Sequence, residues 1–155
     1  MKNRFIKCCF AFILIATCFI LVSCDLSHKH YFDDYGKCRN CGVNTCKTLT
    51  KDSNSNTYSC DYVKINTRDD GFFKFVSNGE NGIKITFTKN QSTSIGETTF
   101  KKIKFYSENS AIITSNVERT ELEYNGQLTA GVTYYIWLDI ENYACDISLT
   151  VSELN

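Results

Sequence analysis

From residue 58 onward apolar and polar residues alternate with a period of 2, the spacing of side chains on a half-buried strand. Ile83, Ile85 and Phe87 alternate with Lys84, Thr86 and Thr88. Val132, Tyr134, Ile136, Leu138 and Ile140 share one face of the clearest strand, and Cys145, Ile147, Leu149 and Val151 share one face of the last. The pattern predicts strands over residues 58–65, 72–76, 83–89, 101–107, 111–115, 121–124, 132–140 and 144–151. Turn-forming clusters separate them, among them Asp69-Asp70-Gly71, Asn78-Gly79-Glu80-Asn81-Gly82 and a loop around Gly96. Short alternating strands punctuated in this way predict an all-β fold, an antiparallel sandwich or barrel. No helical period is found after residue 23.

The first 23 residues follow another pattern. Lys2, Arg4 and Lys7 occupy a head without acids, and residues 8–23 are almost wholly apolar. That is the layout of an export signal. The apolar run is short of the roughly 20 residues that a spanning helix needs. Its ending, Leu21-Val22-Ser23-Cys24, resembles the bacterial lipoprotein signal, whose cysteine is alkylated by diacylglycerol and becomes the mature N-terminus. The resemblance implies a signal peptide over 1–23 and lipidation of Cys24. It also implies a protein held on the extracytoplasmic face of the cell membrane. Each buried acyl methylene contributes about 0.8 kcal/mol, so two or more chains hold stably where one does not. An ordinary cleaved signal or an uncleaved anchor is the alternative.

Composition then narrows the function. Without residues 1–23 the chain keeps 14 basic and 17 acidic residues, a charge of −3. Nucleic-acid binding needs a basic patch, which this balance does not offer. The polar stretch 48–56 reads as a linker, giving a tether over 24–56 and a sandwich domain over 57–155.

The tether carries the candidate chemistry. His28 and His30 precede Cys38-Arg39-Asn40-Cys41-Gly42, and Cys46 follows. The arrangement resembles a zinc knuckle, with a tight turn that points two thiolates at one metal and a glycine free to take a positive φ behind the second. Zinc takes four tetrahedral N or S ligands, and His28, His30, Cys38, Cys41 and Cys46 are the candidates. A segment this short cannot order itself by apolar burial, so a structural zinc is physically reasonable. Similar knuckles follow the lipid anchor in other bacterial surface lipoproteins. A tight Cys38–Cys41 disulfide is the alternative, since Cys-x-x-Cys serves both metal and redox chemistry.

Five cysteines remain after Cys24, and an exported chain can keep disulfides. If zinc takes Cys38, Cys41, Cys46 and one histidine, Cys60 and Cys145 are left as a pair. A bridge between them would close a loop of about 85 residues, worth about 4–5 kcal/mol in the chain-entropy model. It requires a bulge, because Cys60 is in phase with Tyr62 and not with Val63 and Ile65.

Gly71-Phe-Phe-Lys-Phe-Val, Ile83-Lys-Ile-Thr-Phe, Leu128-Thr-Ala-Gly-Val-Thr-Tyr-Tyr-Ile-Trp-Leu and Ile147-Ser-Leu-Thr-Val together resemble the bacterial pre-peptidase C-terminal domain. The resemblance covers roughly residues 58–155. It implies a jelly-roll-like β-sandwich of about 7–8 strands, in a family whose members are mostly accessory, non-catalytic domains that bind or target. Both histidines lie outside the sandwich, and no nucleophile elbow, phosphate loop or His-Glu-x-x-His is present. Asp69 and Asp70 form a turn too poor in oxygens for calcium, and Glu121 and Glu123 read as solvated acids. Tyr135 and Trp137 fall on the face of their strand opposite the apolar one, where they can form an aromatic platform for a sugar or peptide. The whole reads as a lipid-anchored, non-enzymatic surface module that binds carbohydrate or protein. The alternative is a metal-binding lipoprotein in which the cysteine/histidine segment is the working part.

Overall fold

The computed structural model describes residues 30–65, 70–90, 99–117, 119–141 and 145–154. Residues 1–29, with the signal, Cys24 and His28, lie outside the described residues, as do Asp69 and the Gly96 loop. The described strands are β1 (Lys47–Thr48), β2 (Thr50–Lys51), β3 (Thr57–Ile65), β4 (Gly71–Val76) and β5 (Asn81–Asn90). They continue with β6 (Thr99–Ser107), β7 (Ser110–Val117), β8 (Glu121–Gln127), β9 (Thr133–Glu141) and β10 (Cys145–Glu153). The last eight are the eight strands read from the alternation, each within a few residues.

They form two five-stranded sheets, ordered β1-β4-β9-β6-β7 and β2-β3-β10-β5-β8. The pairs β3·β10, β4·β9, β5·β8 and β6·β7 nest inside one another, all antiparallel. A long hairpin with its tip at β6–β7 has rolled up so that β10 lies beside β5 and β9 beside β6. This is the jelly-roll solution to a sheet that would otherwise expose long edges.

The inward positions are those the alternation named. Phe73, Phe75, Ile83, Ile85, Ile103, Phe105, Ile136, Leu138, Ile147, Leu149 and Val151 are all buried and share one core. Phe105 joins the sheets through aromatic contacts, stacking on Tyr134 at 5.3 Å and tilting against Tyr124 at 5.6 Å. Each such pair adds about 0.5–1.5 kcal/mol to its area burial.

Two expectations fail on the register. The stretch 48–56 is not simply a linker. β1 runs parallel to β4 and β2 antiparallel to β3, so the chain steps from one sheet to the other within five residues. Leu49, between the two short strands, drops into the core. A single apolar residue in a polar run carries no period, so the alternation could not reveal it.

The Cys60–Cys145 bridge is excluded as well. Cys60 lies opposite Leu149, whereas Cys145 lies opposite Ile65. Four positions along β10 at about 3.3 Å each separate the two sites, far beyond the reach of a disulfide. Cys60 carries no disulfide and packs partly buried against the core. The bulge that the bridge required does exist: the register shifts between Ile147 and Leu149, so that Cys60 and Val63 face alternate residues of β10.

One polar group is built into the end of the core. Glu80, 3% exposed, follows the β4–β5 turn. Tyr58 donates its hydroxyl to Glu80 Oε1 at 2.6 Å, and Ser77 Oγ and the Asn78 N–H donate as well. Burial alone would raise the Glu80 pKa. Hydrogen bonds from Ser77, Tyr58 and neighbouring backbone outweigh it and hold the carboxyl below its ordinary value.

Glu80 therefore contributes stability that is fully present above the ordinary carboxylate range and is lost as pH falls through it. Glu80→Ala, which strands buried hydroxyls, should cost about 3 kcal/mol at neutral pH. Chemical denaturation of wild type and Glu80→Gln between neutral and acidic pH checks the sign. The stability gap should close on acidification, and a gap that widens contradicts it.

Candidate metal centre and the cleft beside it

Residues 30–46 fold as two successive tight turns. In the first, Asp33 Oδ1 accepts from the N–H groups of Tyr35 and Lys37 at 2.9 Å each. In the second, Gly42 N–H reaches back to Cys38 O at 2.8 Å, with Gly42 at φ 74°. That is the positive φ expected behind the second cysteine. An antiparallel bridge between Phe32 and Cys38 and a 2.8 Å bond from Arg39 N–H to Tyr31 O pair the flanks.

This pairing lays His30 over the second turn. The donor atoms of His30, Cys38 and Cys41 lie within 4.8 Å of one another, with His30 Nδ1 and Cys41 Sγ 3.6 Å apart. The Cys38 side chain is buried. Burial opposes its thiolate, but hydrogen bonds from the Cys41 backbone, the His30 ring and the Asn40 and Tyr31 backbone prevail, and its pKa drops to about 5. One imidazole and two thiols, one of them poised as thiolate, form a set that can hold a soft metal ion.

One further expected ligand among the described residues, Cys46, does not join this group. It sits next to Gly36, against the sheet. Burial pushes its thiol up to about 11, only partly offset by Lys74, so it is poorly suited to ligation. His28 lies outside the described residues. Among the described residues the group has three members.

The turns are not a free tether. They dock on the outer face of the β1-β4-β9-β6-β7 sheet. Registered rows of side chains cross that face: Phe72, Trp137 and Lys104 in one, Lys74, Tyr135 and Tyr106 in the next. Phe32 caps the first row, its ring 5.4 Å from that of Phe72. Tyr35 caps the second, edge-on to Tyr135 at 5.0 Å. Tyr106, stacked on Tyr135 at 5.7 Å, donates its hydroxyl to Asp34 O. Phe72, Tyr106 and Tyr135 are all buried as a result. Burial raises the pKa of both Tyr106 and Tyr135, and nearby acids raise it further. The approach is close enough to demand glycine at position 36: φ is 76°, and a Cβ would meet Phe72 at 2.8 Å.

Tyr135 is consequently not half of an open platform. It lies under Tyr35 and donates to Glu108 at 2.9 Å. Trp137 has a different setting. It lines a cleft of about 580 Å³ between the first turn and the β6–β7 hairpin, together with Phe32, Asp34, Tyr106, Glu108 and Ile112. Lys104 Nζ lies 4.0 Å from the Trp137 ring centroid. The buried indole Nε1 has no hydrogen-bond partner, the one such side-chain atom among the described residues. A buried N–H without an acceptor costs about 1–3 kcal/mol.

The sequence held a signal for this cover. Phe72-Phe73, Phe105-Tyr106 and Tyr134 to Trp137 place large rings on both faces of their strands. A sheet apolar on both sides is covered on both sides.

The fold and the docked segment define a jelly-roll β-sandwich carrying a small cysteine/histidine subdomain. No family model and no curated protein matches the chain. Among solved structures it is similar to Aeromonas hydrophila PliG, a periplasmic lysozyme inhibitor of g-type lysozyme. That match has a TM-score of 0.51 and 12% identity over 71% of this chain and 96% of that one. The Yersinia pseudotuberculosis-derived mitogen aligns at a TM-score of 0.46 and 11% identity, covering 65% of this chain and 88% of its own. The pre-peptidase C-terminal domain of collagenase from Bacillus anthracis aligns at 0.38 and 14%, covering 70% and 91%. At such identities the first likeness is one of fold.

Tyr135→Ala should cost about 3–5 kcal/mol, as emptying a packed aromatic site does. Gly36→Ala should expose Tyr106 and Tyr135 while leaving the sandwich folded. Chemical denaturation reads the first effect, and tyrosine ultraviolet absorbance during pH titration reads the second. An unchanged titration in Gly36→Ala would mean that the docking tolerates a Cβ.

Proposed function

We propose that this chain is an exported, lipid-anchored, non-catalytic binding module, and that the Trp137 cleft is where it binds a protein or carbohydrate. The observation that carries the reading is the cleft itself, a recess lined by the rings of Phe32, Phe72, Tyr106 and Trp137 with Lys104 among them. Ligand sites are commonly recesses of this size with few, well-placed polar groups. Recognition of protein is the favoured form, since the inhibitor of similar fold binds lysozyme. In this reading the lipid on Cys24 holds the module at the membrane surface, and zinc on His30, Cys38 and Cys41 pins the docked segment. Support for zinc is the donor set, which mixes thiolate and imidazole.

A second reading is supported by the count of three donors among the described residues. Zinc held by three protein ligands leaves a position open to water or another ligand, as suits a metal-handling lipoprotein. Metal analysis after dialysis separates the two. Stoichiometric zinc that is retained supports the pinning role, and loosely exchanging metal supports handling.

Two experiments test the main reading. Cys24→Ser should abolish incorporation of labelled acyl chains, and a mutant that still carries label refutes the anchor. The wild-type chain, titrated against g-type lysozyme and a panel of oligosaccharides, should show one class of saturable binding. Trp137→Ala should weaken that binding at least tenfold with little change in melting temperature. Equal binding by the variant would move the site elsewhere.

A further inference from the structure

Phe32 and Tyr35 form one wall of the cleft. They also lie in sequence between two members of the metal-ligating group, His30 and Cys38. We propose that metal binding at His30, Cys38 and Cys41 assembles the Trp137 cleft, making it a metal-gated binding site. The inference rests on the reading of that group as a metal centre and deepens the reading of the cleft as the binding site.

The argument is one of chain entropy and geometry. A metal joining residues 30 and 38 closes a short loop, and everything between them loses freedom together. The contacts that seat the wall lie in this loop: Phe32 on Phe72, Gly36 against Phe72, Tyr35 on Tyr135, and Asp34 O accepting from Tyr106. A few ring contacts and one hydrogen bond are a modest set against the conformational entropy lost when each residue of the segment is fixed. With the ends joined, much of that cost is met by ligation. Without it, the wall is free to leave the sheet, and the recess beside Trp137 becomes an open face. By linkage, whatever binds the closed cleft also tightens the metal by the same factor.

The protein carries its own reporter, because Trp137 is the sole tryptophan and lies in the cleft. Zinc is a suitable probe: its filled d shell gives it no redox chemistry, so an emission change reflects the surroundings of the indole. The test is acrylamide quenching of Trp137 in the full mature chain, before and after removal of zinc by a chelator and again after zinc is restored. Bound metal is counted by atomic absorption in each state, and the sandwich is monitored by far-ultraviolet circular dichroism. The expected result is at least a twofold rise in the quenching constant on removal of one zinc per chain, reversed when zinc returns, with the β signal constant. Cys41→Ser should resemble the metal-free state whether or not zinc is added. One bound zinc with an unchanged quenching constant on its removal overturns the gating but leaves the metal centre standing. A chain that binds no zinc overturns the metal centre, and the gating with it. Should Cys41→Ser fail to fold, the wild-type chelation series decides alone.

Discussion

The outer face of one sheet cannot remain in water, and most of what is distinctive in this molecule follows from that. Phe72, Tyr106 and Tyr135 point away from the core, yet each is buried. Aromatic side chains bury on the order of 150–250 Å² each. Left open, three adjacent rings would make a patch of the size that marks interfaces or aggregation sites. The covering segment has the opposite deficiency. Residues 30–46 are too few to form a core, and segments of that size are ordered by a crosslink, a metal or a larger partner. Each part supplies what the other lacks. Gly36 is where the two meet most tightly, since no other residue type permits both the φ and the approach.

Docking also explains why the site residues fall where they do. The same pair of turns that brings Phe32 and Tyr35 onto the sheet also sets His30 beside Cys38 and Cys41. The metal-ligating group and the cleft are thus two sides of one small unit. The cleft forms where that unit stops short of the β6–β7 hairpin, leaving Trp137 only partly covered. Lys104 lies over the indole ring there. Glu80 shows how the fold treats a buried charge with no such role: it surrounds it with donors.

Alternation made the eight long strands and their inward faces legible, because a period of 2 over five or more residues is a strong signal. The metal-ligating trio was legible in part, since Cys38-x-x-Cys41-Gly42 specifies a turn on its own. Two things were not. Leu49 joins the core from between two-residue strands, where no period can form. The docking of the tether depends on contacts between distant residues such as Phe32 and Phe72, which a local pattern does not encode. The consecutive aromatics were its trace; of the two residues read as a platform, Tyr135 is covered by Tyr35 and Trp137 lines the cleft.

The fate of the cysteines shows the limit of counting. Parity treats every thiol left over from a metal site as needing a partner. That holds only for thiols that can react, and the reacting species is the thiolate. Cys46 lies between the docked segment and the sheet, where burial pushes it up to about 11. Cys60 is partly buried in β3, and burial there also raises its pKa. Neither is poised for oxidation, so neither requires a bridge, and the β3–β10 register was free to follow packing. Cys38 departs from this rule, with hydrogen bonds that favour its thiolate. Environment thus sets Cys38, beside His30 and Cys41, apart from the buried thiols of Cys46 and Cys60, where spacing alone suggested one ligand set and one disulfide.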